Sequence, residues 1–162
     1  MIAHDISEFK TIEAALGENI GMLNMAMETA NMAWWDLDLV SGQVSFSARK
    51  AEMLGYPPEK FKHYHDFVDL VHPDDTQRIM KAMHDHIDGT AGKYNAHYRI
   101  KTISGGYKWF HDTGSIVKRS PEGLAMRVTG LVIDVTEHKK TEEALLALGF
   151  DFAKQSEAQK PE

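Results

Sequence analysis

One twelve-residue block occurs twice in this chain, and that recurrence limits what lies between the two copies. DVTEHKKTEEAL, starting at Asp134, aligns with DISEFKTIEAAL, starting at Asp5. The copies are identical at Asp5/Asp134, Glu8/Glu137, Lys10/Lys139, Glu13/Glu142, Ala15/Ala144 and Leu16/Leu145. Ile6/Val135 and Ser7/Thr136 keep their side-chain character. Each copy reads as a strand end running directly into a helix. Ser7 or Thr136 is suited to an N-cap, with Glu8 or Glu137 beside it where the helix dipole favours a carboxylate. The expected organisation is one complete module of a tandem array. Residues 1–7 are read as the tail of a preceding module, 8–30 as a linker helix, 31–136 as the domain itself and 137–162 as a C-terminal helix and tail.

The remaining sequence favours a folded domain. Its 162 residues are 43% hydrophobic and 26% charged, which is globular composition. A net charge of −6 opposes nucleic acid as a partner, because phosphate binding needs clustered cations. The absence of cysteine removes disulfides, thiolate metal sites and cysteine nucleophiles, and suits a reducing, cytoplasmic setting. No apolar run approaches the ~20 residues of a membrane span, so direct membrane insertion is not expected. The parent protein is left open to anchoring elsewhere.

Between Glu8 and Ala30, apolar residues recur at spacings of three and four, including Leu16, Ile20, Leu23 and Met27. This is a helical seam, and Gly17 and Gly21 predict a kink or two pieces. Met32–Leu39 and Gln43–Ser47 alternate around a Ser41-Gly42 turn, as a hairpin does. Short helices follow over Ala48–Leu54 and within Glu59–Leu70. His72-Pro73-Asp74-Asp75 starts a longer helix, with Asp74 or Asp75 as cap and Ile79, Met80, Met83 and Ile87 on its buried side. Gly89 ends it. Three strands are then expected, over Lys93–Thr102, Tyr107–Lys118 and Leu124–Val135. The pattern is α+β, an antiparallel sheet covered by helices on one face.

Four motifs carry a family resemblance: WWDLDLVSGQVSFS, VHPDD, YRIKTISGGYKWFHDTG and GLVIDVTEHKKTEEAL. Together, from about Asn31 to Leu145, they resemble a PAS sensor domain of a multi-PAS bacterial or archaeal signal-transduction protein. The resemblance implies a five-stranded antiparallel sheet of order 2-1-5-4-3. Short helices close a cavity over one face, and signalling helices flank the domain.

Strand parity places Tyr94, Ala96, Tyr98 and Ile100 on one side of their strand. The family pattern adds Trp35, Phe110, Asp112, Val128, Gly130 and Val132 to that inner face, where the set either fills the core or lines a ligand cavity. Asp112 is then an inward carboxylate that pairs with the Tyr98 hydroxyl or a backbone amide, or meets a ligand. Trp34, Trp109 and His111 point outward, towards the N-terminal helix or a second subunit.

The light-sensing branch of the family carries Asn-Cys-Arg-Phe-Leu-Gln where this chain has Tyr64-His65-Asp66-Phe67-Val68-Asp69. Without cysteine the photochemical adduct cannot form. No cofactor is the expectation, with a small-molecule ligand, haem or non-covalently bound flavin as alternatives. His84 and His86 lie nearest the position of the haem ligand in haem-binding relatives. No metal site is expected, since helical His pairs two apart point in different directions. Nothing suggests catalysis.

The resemblance implies a sensor or relay module of a histidine kinase or diguanylate cyclase. A ligand- or dimer-dependent signal would pass through Asp134-Val135-Thr136 to the C-terminal helix, with Asp134 and Thr136 as relay residues. A ligand-free dimerising spacer and a small pocket enzyme are the alternatives. The expected partners are a second copy of the chain and neighbouring PAS and effector domains. Leu16, Ile20, Leu23 and Met27, with Trp34 and Trp109, would form the homodimer contact, and Thr141, Leu145, Leu148 and Phe152 a second helical seam.

Overall fold

Five strands pair antiparallel in the order β2-β1-β5-β4-β3. They are β1 (Met32–Asp38), β2 (Val44–Phe46), β3 (Tyr94–Lys101), β4 (Tyr107–Arg119) and β5 (Ala125–Asp134) in a computed structural model that describes residues 2–149. Phe152 and the end of the C-terminal tail lie outside the described residues. Alternation decides the faces: Tyr94, Ala96, Tyr98 and Ile100 of β3 are buried, while Asn95 and Lys101 are exposed.

One face of the sheet is covered by α2 (Ala48–Glu52), a 3-10 turn (Pro58–Lys60), α3 (Tyr64–Val68) and α4 (Pro73–Ile87). Phe46, Phe61 and Phe67 form an aromatic cluster beneath them, with Phe61 and Phe67 stacked 4.0 Å apart. The outer edge of β3 is not left open. His72 donates its amide to the Arg99 carbonyl and Lys101 donates to Leu70, so the segment before α4 pairs with that edge.

The start of α4 differs from expectation. His72 is the N-cap, its Nδ1 accepting from the Asp74 amide, whereas neither aspartate caps the helix. Asp75 is drawn instead to β3, where its carboxylate accepts from the Arg99 amide at 2.9 Å, from Nε at 2.9 Å and from the guanidinium terminus at 3.1 Å. A charged fork plus an amide outweighs one capping bond. Met80 is also 40% exposed. Together with Met83 and Ile87 it borders a cavity, so that side of α4 is lined by open space in place of packed side chains.

The flanking helices are α1 (Ile2–Thr29) and α5 (Thr136–Ala147). α1 is one uninterrupted helix. Each glycine costs about 1 kcal/mol relative to alanine but keeps its hydrogen bonds, and nothing presses on Gly17 or Gly21 to bend the helix there. Ser7 lies inside this helix, and the first copy of the repeat is helical throughout in this chain. The second copy differs because its hydroxyl and carboxylate find partners on the sheet. α1 joins β1 through Asn31, whose φ of 51° lies in the left-handed region that Asn tolerates.

Asp75 is almost fully buried, and the Arg99 guanidinium holds its carboxyl well below the usual carboxylate range. A depressed acid contributes stability above its unfolded pKa of about 4 and loses that contribution as pH falls towards the folded value. Asp75→Asn should therefore cost about 1.5–3 kcal/mol near neutral pH. The gap from wild type should narrow below pH ~4, as urea denaturation at several pH values would show.

Candidate functional site

Trp35 on β1 is the base of the inner face. It pairs with Gly130 of β5, and Gly130 pairs in turn with Gly114 of β4. A Cβ on Gly114 would come within 2.8 Å of the indole. A Cβ on Gly130 would come within 2.5 Å of it and would also press on the Thr113 carbonyl oxygen. Two adjacent strands thus lack side chains where the indole lies. From there Trp35 Nε1 donates to Asp112 at 2.6 Å, and the Tyr98 hydroxyl donates to the other Asp112 oxygen at 2.9 Å. β1, β3 and β4 are tied at one buried carboxylate.

A cavity of about 320 Å³ opens above this network. Trp35, Tyr94, Tyr98, Ile100 and Asp112 line it, while Phe110, Val128 and Val132 form the packed layer below and beside them and Gly130 lies against the indole. Residues that parity and the family resemblance placed on one face are thus divided by the structure between lining and core. Leu37, Phe67, Val71, Ile79 and Met83 complete the apolar wall, and His84 stands at the border. Tyr64, Phe67 and Val68 contribute from α3.

Lys50 also lines the cavity, and reading the sequence missed it. It is 5% exposed, with its ammonium 4.0 Å from the centroid of the Phe67 ring and 5.7 Å from that of Trp35. Among the described residues no acceptor lies within hydrogen-bond distance of that nitrogen. Burial pushes its pKa down, with Asp112 opposing the shift. A signal for this was present: Lys50 precedes Met53 and Leu54 by three and four residues, and both are buried. That spacing puts the lysine on the apolar side of its helix.

His86 is buried as well, and both ring nitrogens are occupied. Its Nε2 accepts from the Ile116 amide at 3.2 Å, which leaves Nδ1 to donate to the Ala91 carbonyl at 3.2 Å. It ties the end of α4 to β4. An iron ligand would have to break one of these bonds. Among the described residues no cluster of three or more His, Asp or Glu could hold a metal ion. No described helix is long and apolar enough to cross a membrane.

The exit lies at the far end of β5. Val135, not Thr136, occupies the N-cap position of α5. The Thr136 hydroxyl is engaged elsewhere, accepting from the Trp109 amide at 3.0 Å and donating to Asp134. Asp134 also accepts from the Thr136 amide at 3.0 Å and pairs with Lys108 at 3.1 Å. Burial raises the Asp134 carboxyl, but Thr136 and Lys108 outweigh it and hold the group below its ordinary value. Asp134 donates its own amide to the Asn31 carbonyl at 3.0 Å, so α1 and α5 meet the sheet side by side.

On the outer face, Trp109 lies between Arg99 and Lys139, each 5.4 Å from its ring centroid. Because α5 starts beside β4, it supplies part of the cover expected there from the N-terminal helix or a second subunit. Trp34 remains 39% exposed, paired in register with Leu131, itself 39% exposed. Along α1, Leu16, Ile20 and Leu23 are exposed and Met27 is half-buried.

A family model described as the PAS fold matches residues 43–132. A blue-light-activated histidine kinase of Brucella ovis is 29% identical over 135 residues, covering 83% of this chain and 26% of the kinase. The chain thus spans about a quarter of the length of the curated relatives it matches. A sensory box histidine kinase/response regulator from Burkholderia thailandensis superposes with a TM-score of 0.66 at 26% identity, over 77% of this chain and 92% of that one. The N-terminal domain of a diguanylate cyclase with PAS/PAC sensor from Marinobacter aquaeolei gives a TM-score of 0.60 at 20% identity, over 67% and 98% of the two chains.

Burial holds the Asp112 carboxyl above its ordinary value, against the opposing pull of Lys50, Tyr98 and Trp35. An acid raised on folding costs stability as pH climbs from its unfolded to its folded pKa. Removing the Tyr98 hydroxyl raises the folded pKa further. Tyr98→Phe should therefore cost about 1–3 kcal/mol above that window and less below it, measured by denaturation at mildly acidic and mildly basic pH.

Proposed function

The chain belongs to the PAS fold family, and from that premise we propose that it is the sensory and relay module of a multidomain signalling protein. Kinase or cyclase activity would reside in other parts of a cytoplasmically exposed parent chain, with neighbouring PAS and effector domains as partners. The observation that carries this reading is the continuity of β4 between cavity and exit. Asp112 faces the cavity, and three residues earlier Trp109 holds the start of α5 through both its amide and its carbonyl. About 10 Å of one strand separates the two. A ligand that changes how Asp112, Trp35 and Tyr98 share their hydrogen bonds would bias the strand, and the strand would bias α5. Such a ligand acts only through its difference in affinity for the two arrangements.

The named relatives include a blue-light-activated kinase, which raises flavin as an occupant. This chain has no cysteine for an adduct. Its cavity of about 320 Å³ also falls at the small end of the ~300–1,000 Å³ range of ligand pockets. A compact metabolite suits it better than flavin or haem.

Asp134→Ala should uncouple α5 while leaving the sheet folded. Hydrogen exchange should show loss of protection over residues 137–147 with β4 and β5 still protected. Uniform loss across the domain would make Asp134 a residue of global stability and remove it from the relay.

The exposed α1 seam supports a homodimer formed mainly through that helix, with the Trp34–Leu131 patch as a second contact. A buried leucine gains about 1.5–3 kcal/mol, so several left in water disfavour the lone helix. The full chain should sediment as a dimer at roughly tens of micromolar. Leu16→Glu combined with Leu23→Glu should yield a monomer with an unchanged sheet. A monomeric wild type at that concentration would overturn the assignment.

A further inference from the structure

Among the described residues, the cavity holds one cationic group whose surroundings do not satisfy it. Asp112 has two donors, His86 has a partner at each nitrogen, and Asp75 has its arginine fork. Lys50 has only aromatic faces and the attraction of Asp112 from beyond ion-pair distance. Its residue is 5% exposed, and what exposure it has is to the cavity. An ammonium brings three donors, and leaving them unmet in an apolar site is costly. A neutral aliphatic side chain of similar length would pack against Phe67 without that cost.

The geometry points to a ligand class: a small organic monocarboxylate with a compact apolar or aromatic body, its carboxylate accepting from Lys50. The Tyr94 hydroxyl is a second donor for it. Tyr94 is buried, lines the same cavity and packs edge-on against Trp35 at 6.1 Å, and no hydrogen-bond partner engages its hydroxyl among the described residues. The apolar wall from Leu37, Phe67, Val71, Ile79 and Met83 takes the body of the molecule. A dicarboxylate or phosphate is disfavoured, because Asp112 and Asp38 both line the cavity and, among the described residues, Lys50 is the one Lys or Arg that does, with His84 only at its border. This assignment rests on reading the cavity as the sensing site.

The test uses the full chain and paired probes that differ only in charge: benzoate with benzamide, phenylacetate with phenylacetamide, and hexanoate with hexanamide. Binding is followed by calorimetry and by intrinsic tryptophan fluorescence. At least one acid should bind more tightly than its amide, and Lys50→Met should weaken that acid by about tenfold to a hundredfold while leaving the amide unchanged. Lys50→Met should fold at least as stably as wild type, since it removes a buried charge. If no acid binds better than its amide, or if Lys50→Met weakens acid and amide alike, the assignment is overturned. Hydrogen exchange of α5 with the acid bound separates this inference from the relay. Lys50-dependent binding with unchanged exchange over residues 137–147 would keep the ligand class and overturn the relay.

Discussion

The indole of Trp35 rests where two neighbouring strands both carry glycine, and the rest of the inner face is arranged around that contact. Gly114 and Gly130 leave room for the ring, and its N–H then reaches Asp112. Fixing the indole fixes the carboxylate, and the carboxylate fixes the Tyr98 hydroxyl. With those three held, the cavity has a floor of defined polarity. A larger residue at either glycine would push against the ring or the backbone, with an overpacking cost of about 1–3 kcal/mol. It would also move the Asp112 carboxylate, which the indole holds.

Two opposite charges therefore lie within one apolar compartment without touching. At an effective dielectric of about 20, charges 4 Å apart attract by roughly 4 kcal/mol, and Lys50 and Asp112 are farther apart than that. Desolvating each ion costs several kcal/mol. The attraction offsets only part of this, which is why burial lowers the lysine and raises the aspartate. Asp112 recovers stabilisation from two donors. Lys50 has no equivalent inside the protein, and the cavity is the one direction from which it can come.

The sheet was legible because strands have a short, strict period. Alternation in β3 separated Tyr98 from Arg99, and the family resemblance implied an inward Asp112. The helical layer was less legible. A five-residue helix such as α2 shows at most one turn of its period, so the spacing of Lys50 to Met53 and Leu54 was a faint signal and Lys50 was not singled out. The role of Asp75 depends on Arg99, which is far along the chain and invisible to local capping logic. The two copies of the repeat differ for a related reason. Ser7 and Thr136 sit in similar sequences, but only Thr136 meets Trp109 and Asp134, and a hydroxyl without such partners is compatible with the helix interior of α1.

The hydrogen bond from Asp134 to Asn31 has a consequence for architecture. The chain enters and leaves the domain on adjacent strands, about 4.8 Å apart in the pairing direction. Seen from a helical stalk, the whole sheet is a side branch rooted at two neighbouring points. Removing or inserting the sheet at these two points would leave the ends of the flanking chain only about one strand spacing apart.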